Sequence, residues 1–290
     1  MGNGVLRGLT IAFVGSGTMA EAVIQALLNA EEVMPEQIIA SGPRVVRGET
    51  LRTRHGIRTT VDNVTAASEA DIVVLSVKPQ VLPTVMVELR GHVRSTALVF
   101  SIIAGTPISN IRAGLDHAAI VRTMPNTPAQ IGAGMTVWMA PPAVTEAQRA
   151  QAQTILQTMG LEMSVTREDA LDMATAVSGT GPTFVFLLME AMVDAAVHLG
   201  FSRRQARLLV LQTVHGSVEF AQQSSSHLAQ LRNMVTSPGG TSAEAIYQLE
   251  KGGLRTVLSK AIWAAYKKSR LLGERAQQPA EGPLQVGSNE

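Results

Sequence analysis

Two glycine-bearing turns hold the residue types and spacings that could do chemistry. The first is Gly15-Ser16-Gly17-Thr18-Met19-Ala20, directly after the apolar run at residues 10–14 and directly before a stretch with helical spacing at 21–30. In the pattern Gly-x-Gly-x-x-Ala, the first glycine permits a sharp turn and the second lets the backbone approach a diphosphate. The small third residue lets the helix pack on the strand. The phosphate charge then rests on the free amides and the positive end of that helix. The second turn is Val235-Thr236-Ser237-Pro238-Gly239-Gly240-Thr241-Ser242-Ala243-Glu244. Two adjacent glycines free the backbone to form an amide-lined concavity, and a helix follows at 242–251. A helix N-terminus beside free amides suits a small carboxylate, and the Ser242 hydroxyl can donate to a substrate atom. Thr241-x-x-Glu244 has capping-box spacing, which makes Thr241 the expected N-cap. A Pro-Gly-Gly turn with a well-made cap and no ligand explains the same residues equally well.

Three further segments end apolar runs with proline or glycine and a polar group. They are Val77-Lys78-Pro79-Gln80, with Ser76 before it as a further cofactor-site candidate, Ile103-Ala104-Gly105-Thr106-Pro107 and Met124-Pro125-Asn126-Thr127-Pro128. Lys78 is placed to face a nicotinamide ribose or amide, and Asn126 to bond nearby backbone. Each alone is an ordinary strand-to-loop turn. Three of them at the carboxyl edge of one parallel sheet favour a ligand crevice. The second strand ends Ala40-Ser41-Gly42-Pro43-Arg44 with no acid to bind a ribose 2′-hydroxyl, so Ser41 and Arg44 suit a 2′-phosphate. The expected cofactor is therefore NADPH, with NADH possible. Arg52, Arg54 and Arg58 read as a solvated, arginine-rich helix face. Ser178-Gly179-Thr180-Gly181-Pro182 is either a flexible turn or a close approach to the site.

The elements that position these groups alternate at first. Apolar strands are expected at 10–14, 37–40, 71–77, 97–103, 119–124 and 135–139, with helical stretches between them. That alternation predicts βαβ units and a parallel, Rossmann-like sheet covered on both faces. From Asp169 onward no strand is expected, and helices are predicted at 184–199, 203–221, 242–251 and 256–272. The expected division is an α/β dinucleotide domain at 1–165, an all-α substrate and dimerisation domain at 166–273, and a disordered polar tail at 274–290.

The 290 residues include 46% hydrophobic and 16% charged side chains, so large cores and an apolar subunit interface are both within reach. A net charge of +1 gives no reason to expect a nucleic-acid partner. The absence of cysteine excludes disulfides, zinc thiolates and a cysteine nucleophile, and no metal is expected. No apolar run reaches the length of a membrane span and no signal peptide is visible, which points to a soluble, cytoplasmic protein without a membrane partner.

Taken together, Phe13-Val14-Gly15-Ser16-Gly17-Thr18-Met19-Ala20, Val77-Lys78-Pro79, Met124-Pro125-Asn126-Thr127-Pro128, Ser178-Gly179-Thr180-Gly181-Pro182 and Thr236-Ser237-Pro238-Gly239-Gly240-Thr241 resemble pyrroline-5-carboxylate reductase. The resemblance runs from about Thr10 to Leu272. It implies reduction of L-1-pyrroline-5-carboxylate to L-proline with NAD(P)H, and a homo-oligomer, either a dimer or a ring of dimers. It also implies that Val235, Gly239, Gly240, Thr241 and Ser242 hold the substrate, that Glu168 lies near it, and that Asn63 contacts the adenosine side. The family has threonine where this chain has Ser242, which keeps the hydroxyl but frees its rotamer. Met234 stands where some relatives carry a polar residue. Two rival readings share the plan: an NADP-dependent hydroxy-acid dehydrogenase, which needs a Lys or His base, and a non-catalytic NADPH-binding regulator. His198, His215 and His227 are the available histidines of the helical half, and none sits in a motif.

Overall fold

The structure is a computed structural model and describes residues 4–277. It contains two compact units, residues 4–180 with 265–277, and residues 181–264. The division falls at 180/181, fifteen residues beyond the sequence expectation of 165/166, because α7 and the turn after it belong to the first unit.

The first unit is built on β1 (Ile11–Val14), α1 (Thr18–Asn29), β2 (Ile38–Ser41), α2 (Val45–His55), β3 (Arg58–Thr60), α3 (Asn63–Glu69), β4 (Ile72–Leu75) and α4 (Leu82–Leu89). It continues through β5 (Leu98–Ser101), α5 (Ile108–Leu115), β6 (Ile120–Met124), β7 (Gly134–Met139), α6 (Glu146–Gln157), β8 (Gly160–Ser164) and α7 (Asp169–Ala174). The eight strands form one sheet in the order β3-β2-β1-β4-β5-β6-β7-β8.

All neighbours run parallel except β6 and β7, so the expected fully parallel sheet is corrected at that one pair. Two strands escaped the sequence expectation of six. The strand β3 is Arg-Thr-Thr, three exposed or half-exposed edge residues with no apolar signal. The strand β8 is exposed on most of its length and is defined by its pairing with β7.

Side chains alternate between the two faces of each strand, so one strand feeds two cores. Ile11, Phe13, Ile72, Val74, Leu98 and Phe100 pack with α1, α2 and α6 on one side. Ala12, Val14, Val73, Leu75 and Val99 pack with α3, α4 and α5 on the other. This two-sided burial is why the strands read as unbroken apolar runs.

The second unit is helical: α8 (Gly181–His198), α9 (Arg203–Gln223), α10 (Leu228–Met234), α11 (Thr241–Lys251) and the first part of α12 (Leu254–Gln277). Among the described residues no strand follows Asp169. The polar tail expected from Glu274 is helical as far as Gln277, and the rest of it lies outside the described residues.

One feature corrects the sequence reading. Residues 169–198 form a 30-residue helical run made of α7, a π-turn at Thr175–Gly179 and α8, with an 18-residue stretch of mean hydropathy 1.4, long and apolar enough by length and composition to cross a bilayer. Helix α8 has no buried residue within the chain, and Phe186, Leu187 and Leu188 are exposed. Leu208, Phe220, Tyr247 and Trp263 extend this open apolar surface over α9, α11 and α12.

Candidate active site

The turn after β1 is built by close backbone approach. Gly15 has φ +101°, and a Cβ there would stand 2.8 Å from the backbone of Ser76 and Val77. Only glycine fits that conformation beside that neighbour. The Gly15 amide donates to the Ser41 carbonyl at 3.1 Å. The Ser76 hydroxyl donates to the carbonyls of Gly15 (2.7 Å) and Val14 (3.1 Å). Ser76 thus braces the turn from the end of β4.

Gly17 is the N-cap of α1 and no side chain caps it. A Cβ at Gly17 would meet nothing within 4 Å, and Gly17 and Thr18 are exposed. The first-turn amides of a twelve-residue helix therefore face open space, as a diphosphate requires. Ala20 is fully buried, which is the close helix–strand packing expected of a small residue.

Beside this turn lies a cavity of about 230 Å³ lined by Ser16, Gly42, Arg44, Glu49, Arg52 and Thr60 among others. Arg44 is exposed at its rim. Two sequence expectations change here. Ser41 is fully buried and donates its hydroxyl to Asn63 Oδ1 at 2.7 Å, so it supports the cavity rather than offering a hydroxyl to a ligand. Arg52, read as a solvated residue, lines the cavity instead. Arg54 does not join it and pairs with Glu21, while Arg58 sits on β3 and pairs with Glu69. Asn63 is tied to Ser41 and, through Nδ2, to Glu88 at 2.9 Å.

The remaining strand ends differ in how far they are committed to the fold. Lys78 is exposed next to half-buried Val77 and Pro79. Ala104 is half-buried, and Gly105 has φ +72° with Leu272 Cβ 3.0 Å from where its own Cβ would stand. Asn126 spends both ends of its amide on backbone. Nδ2 donates to the Ser178 carbonyl at 3.1 Å, and Oδ1 accepts from the Met135 amide at 2.9 Å. The segment it pins, Thr175–Gly179, is a single π-helical turn closed by the Thr180 amide on the Thr175 carbonyl at 2.8 Å. A Cβ at Gly179 would meet the flexible end of the Met124 side chain, which would have to shift.

Glu168 is engaged by the fold. Its Oε1 accepts from the Ile108 amide at 2.7 Å, at the start of α5, and from Arg122 at 2.8 Å. Arg122 is buried, and Asp172 stands 3.5 Å from it on the other side. Asp172 in turn accepts from the Ser269 hydroxyl at 2.8 Å.

In the helical unit, Gly239 has φ +70° with open space around it. The Gly240 amide donates to the Ser237 carbonyl at 3.0 Å, and its own carbonyl accepts from Ala243 (3.1 Å) and Glu244 (3.3 Å). Gly240, not Thr241, is the N-cap of α11, and no side chain caps it. The expected capping box does not form, and Glu244 bonds forward to Gln248 instead. The first-turn amides at Thr241 and Ser242 thus have no intrahelical acceptor and no capping side chain. Val235 and Thr241 are exposed and Ser242 is half-buried.

The sequence matches known proteins along its length. Residues 10–105 match the family model for NADP oxidoreductase, coenzyme F420-dependent. Residues 168–272, which include the apolar helical run, match that for pyrroline-5-carboxylate reductase dimerisation. A pyrroline-5-carboxylate reductase of Synechocystis sp. is 39% identical over 92% of this chain and 99% of its own. The solved pyrroline-5-carboxylate reductase of Coxiella burnetii is 37% identical, with a TM-score of 0.83 over 91% of this chain and 98% of that one. The Plasmodium falciparum enzyme, solved with NADP bound, is 30% identical, with a TM-score of 0.84 over 92% and 98%. With identity of this level over nearly the whole length, this chain belongs to the pyrroline-5-carboxylate reductase family.

Proposed function

We propose that this protein reduces L-1-pyrroline-5-carboxylate to L-proline with NADPH. The observation that carries the reading is the occurrence, in one chain of that family, of two uncapped helix starts, at α1 and α11, each opened by glycine. One suits a diphosphate and the other a carboxylate. NADPH, held by its diphosphate on the first of these, would supply the hydride that the carbon of the C=N bond receives. The protonated ring nitrogen is already electrophilic, so the protein needs little covalent chemistry; alignment and desolvation contribute on the order of 7–11 kcal/mol in favourable cases. In this reading the amides of Gly239, Thr241 and Ser242 hold the substrate carboxylate, Gly240 shapes the turn between them, Val235 flanks it, and the Ser242 hydroxyl orients the ring nitrogen. Gly15 to Ala20 hold the diphosphate, and Arg44 with Arg52 face the 2′-phosphate. Val77, Lys78, Ala104 and Gly105 border the nicotinamide side. Ser41, Asn63, Ser76 and Asn126 act through the backbone that they fix. Glu168 acts through Arg122 and the start of α5.

Among the described residues, no histidine of the helical unit is set in a motif as the base that the hydroxy-acid reading needs. His198 is exposed, His215 faces Glu219 at 3.7 Å, and His227 Nδ1 accepts from the Ala229 amide to cap α10. The open apolar faces of α8, α9 and α12 fit a second copy of the chain, and the assembly works as a homo-oligomer in the cytoplasm. Oxidation of NADPH and of NADH is to be followed with pyrroline-5-carboxylate, and reduction of NADP+ and of NAD+ with a panel of 2-hydroxy acids. Turnover on the imine alone, faster with NADPH, is expected. Activity on the hydroxy acids, or NADPH binding without turnover, overturns the reading.

A further inference from the structure

The amides of the first glycine turn are open on one side, while the carbonyls on its other side are held by a side chain from α2. Arg47 donates from Nε to the Ser16 carbonyl at 2.8 Å and from Nη2 to the Gly17 carbonyl at 3.4 Å. The same Nη2 meets Glu21 Oε2 at 2.7 Å. Glu21 lies in the first turn of α1, and its second oxygen accepts from Arg54 at 2.6 Å and faces His55 Nε2 at 3.1 Å. The side chains of Arg47 and Glu21 are only 21% and 14% exposed, so the cluster is packed rather than solvated.

A peptide unit is planar and trans, so its carbonyl and its amide point in opposite directions. The Ser16 carbonyl shares a plane with the Gly17 amide, and the Gly17 carbonyl shares one with the Thr18 amide. Holding the Ser16 carbonyl towards α2 turns the Gly17 amide away from α2, whereas the Gly17 carbonyl is set chiefly by α1 itself, through the Glu21 amide at 3.0 Å. The planar fork of arginine can reach two carbonyls and a carboxylate at once, which the single ammonium of lysine cannot do with the same geometry. Glu21 fixes the fork, and it also offsets a charge that would otherwise draw phosphate to the wrong side of the turn.

We propose that Arg47, anchored by Glu21, is a positioning residue that presets the Gly17 amide for the diphosphate of the dinucleotide without touching it. The inference rests on the dinucleotide reading of the turn. It makes a distinction that the cavity at Arg44 does not. The diphosphate is common to NADPH and NADH, whereas a 2′-phosphate belongs to NADPH alone.

The test is direct fluorescence titration of NADPH and NADH on the wild-type protein, Arg47→Met, Arg47→Lys and Arg44→Ala, at a temperature where circular dichroism shows every variant folded. Arg47→Met is expected to weaken both dinucleotides by a similar factor of about tenfold, and Arg47→Lys by nearly as much. Arg44→Ala is expected to weaken NADPH only. If Arg47→Met lowers the melting temperature but leaves both dissociation constants within about twofold, Arg47 is a brace of the fold and the inference is wrong. A loss confined to NADPH makes Arg47 a 2′-phosphate ligand and also overturns it. Wild-type protein that binds neither dinucleotide removes the reading of the turn itself, which the Arg47 variants on their own do not. Should Arg47→Met fail to fold, Arg47→Lys carries the same comparison.

Discussion

The two glycine turns solve a similar problem, open amides at a helix start, by opposite means. Around Gly15 and Gly17 the partners are distant in sequence: Ser41, Arg47 and Ser76 reach in from β2, α2 and the end of β4. Around Gly239 and Gly240 every backbone partner is a near neighbour, from Ser237 to Glu244. Gly15 is needed because another backbone lies against it; Gly239 is needed only for its positive φ. The first turn is therefore shaped by the fold and the second by its own sequence. Damage to the first should spread, and damage to the second should stay where it is made.

The strongest way to break that contrast is Gly15→Ala. It forces a Cβ against the Ser76 backbone at a strained φ and should cost on the order of 3 kcal/mol or more, with loss of NADPH binding. Urea denaturation and a dinucleotide titration measure the two effects, and a variant that binds normally would mean the turn is less determined than its contacts imply.

The next effect concerns Glu21. Burial alone would push its carboxyl up, but hydrogen bonds from Arg47, His55 and Arg54 and the charge of Arg47 outweigh it and lower the pKa from 4.5 to about 2. Its contribution is complete above pH 4.5 and disappears as pH falls towards 2. Glu21→Gln should thus lose about 2 kcal/mol at neutral pH and show a flatter stability curve across that acid window. An unchanged slope there would remove Glu21 as a clamp.

In the second turn, Ser242→Ala should lower turnover by about tenfold or more while leaving NADPH affinity and the melting temperature intact. Equal turnover would take the hydroxyl out of the reaction. The smallest effect is that of Gly239→Ala, about 1 kcal/mol from a left-handed alanine. It should appear in a thermal melt without any change in dinucleotide binding, and a change there would end the claim that this turn is local.

The same contrast explains what could be read in advance. The buried strands were legible because two-sided burial writes unbroken apolar runs, as at Ile72–Leu75. The edge strand Arg58–Thr60 was not, because its pairing with β2 defines it and no apolar run marks it. The glycine turns were legible as spacing. The roles around them were harder to read, because they depend on which way a side chain packs. Ser41 and Arg52 have the right types for a phosphate site, yet the fold buries the first and places the second at the cavity. The Thr241-x-x-Glu244 spacing suggested a cap, but Gly240 occupies that position and Glu244 turns to Gln248. The membrane-length apolar run was missed because the break expected at Ser178–Pro182 is only a π-helical turn and one residue, Thr180, between α7 and α8.

The α/β unit is not contiguous in the chain. Residues 265–277 belong to it, through the Ser269 hydroxyl on Asp172 and the close seating of Leu272 and Gly273 against Gly105. Synthesis proceeds from the N-terminus, so the sheet can assemble while the helical residues are still being added. Its last wall arrives only when the end of α12 has left the ribosome. A nascent chain stalled before Ser269 would hold the dinucleotide turn on an unfinished unit, with Asp172 and Gly105 still waiting for their partners.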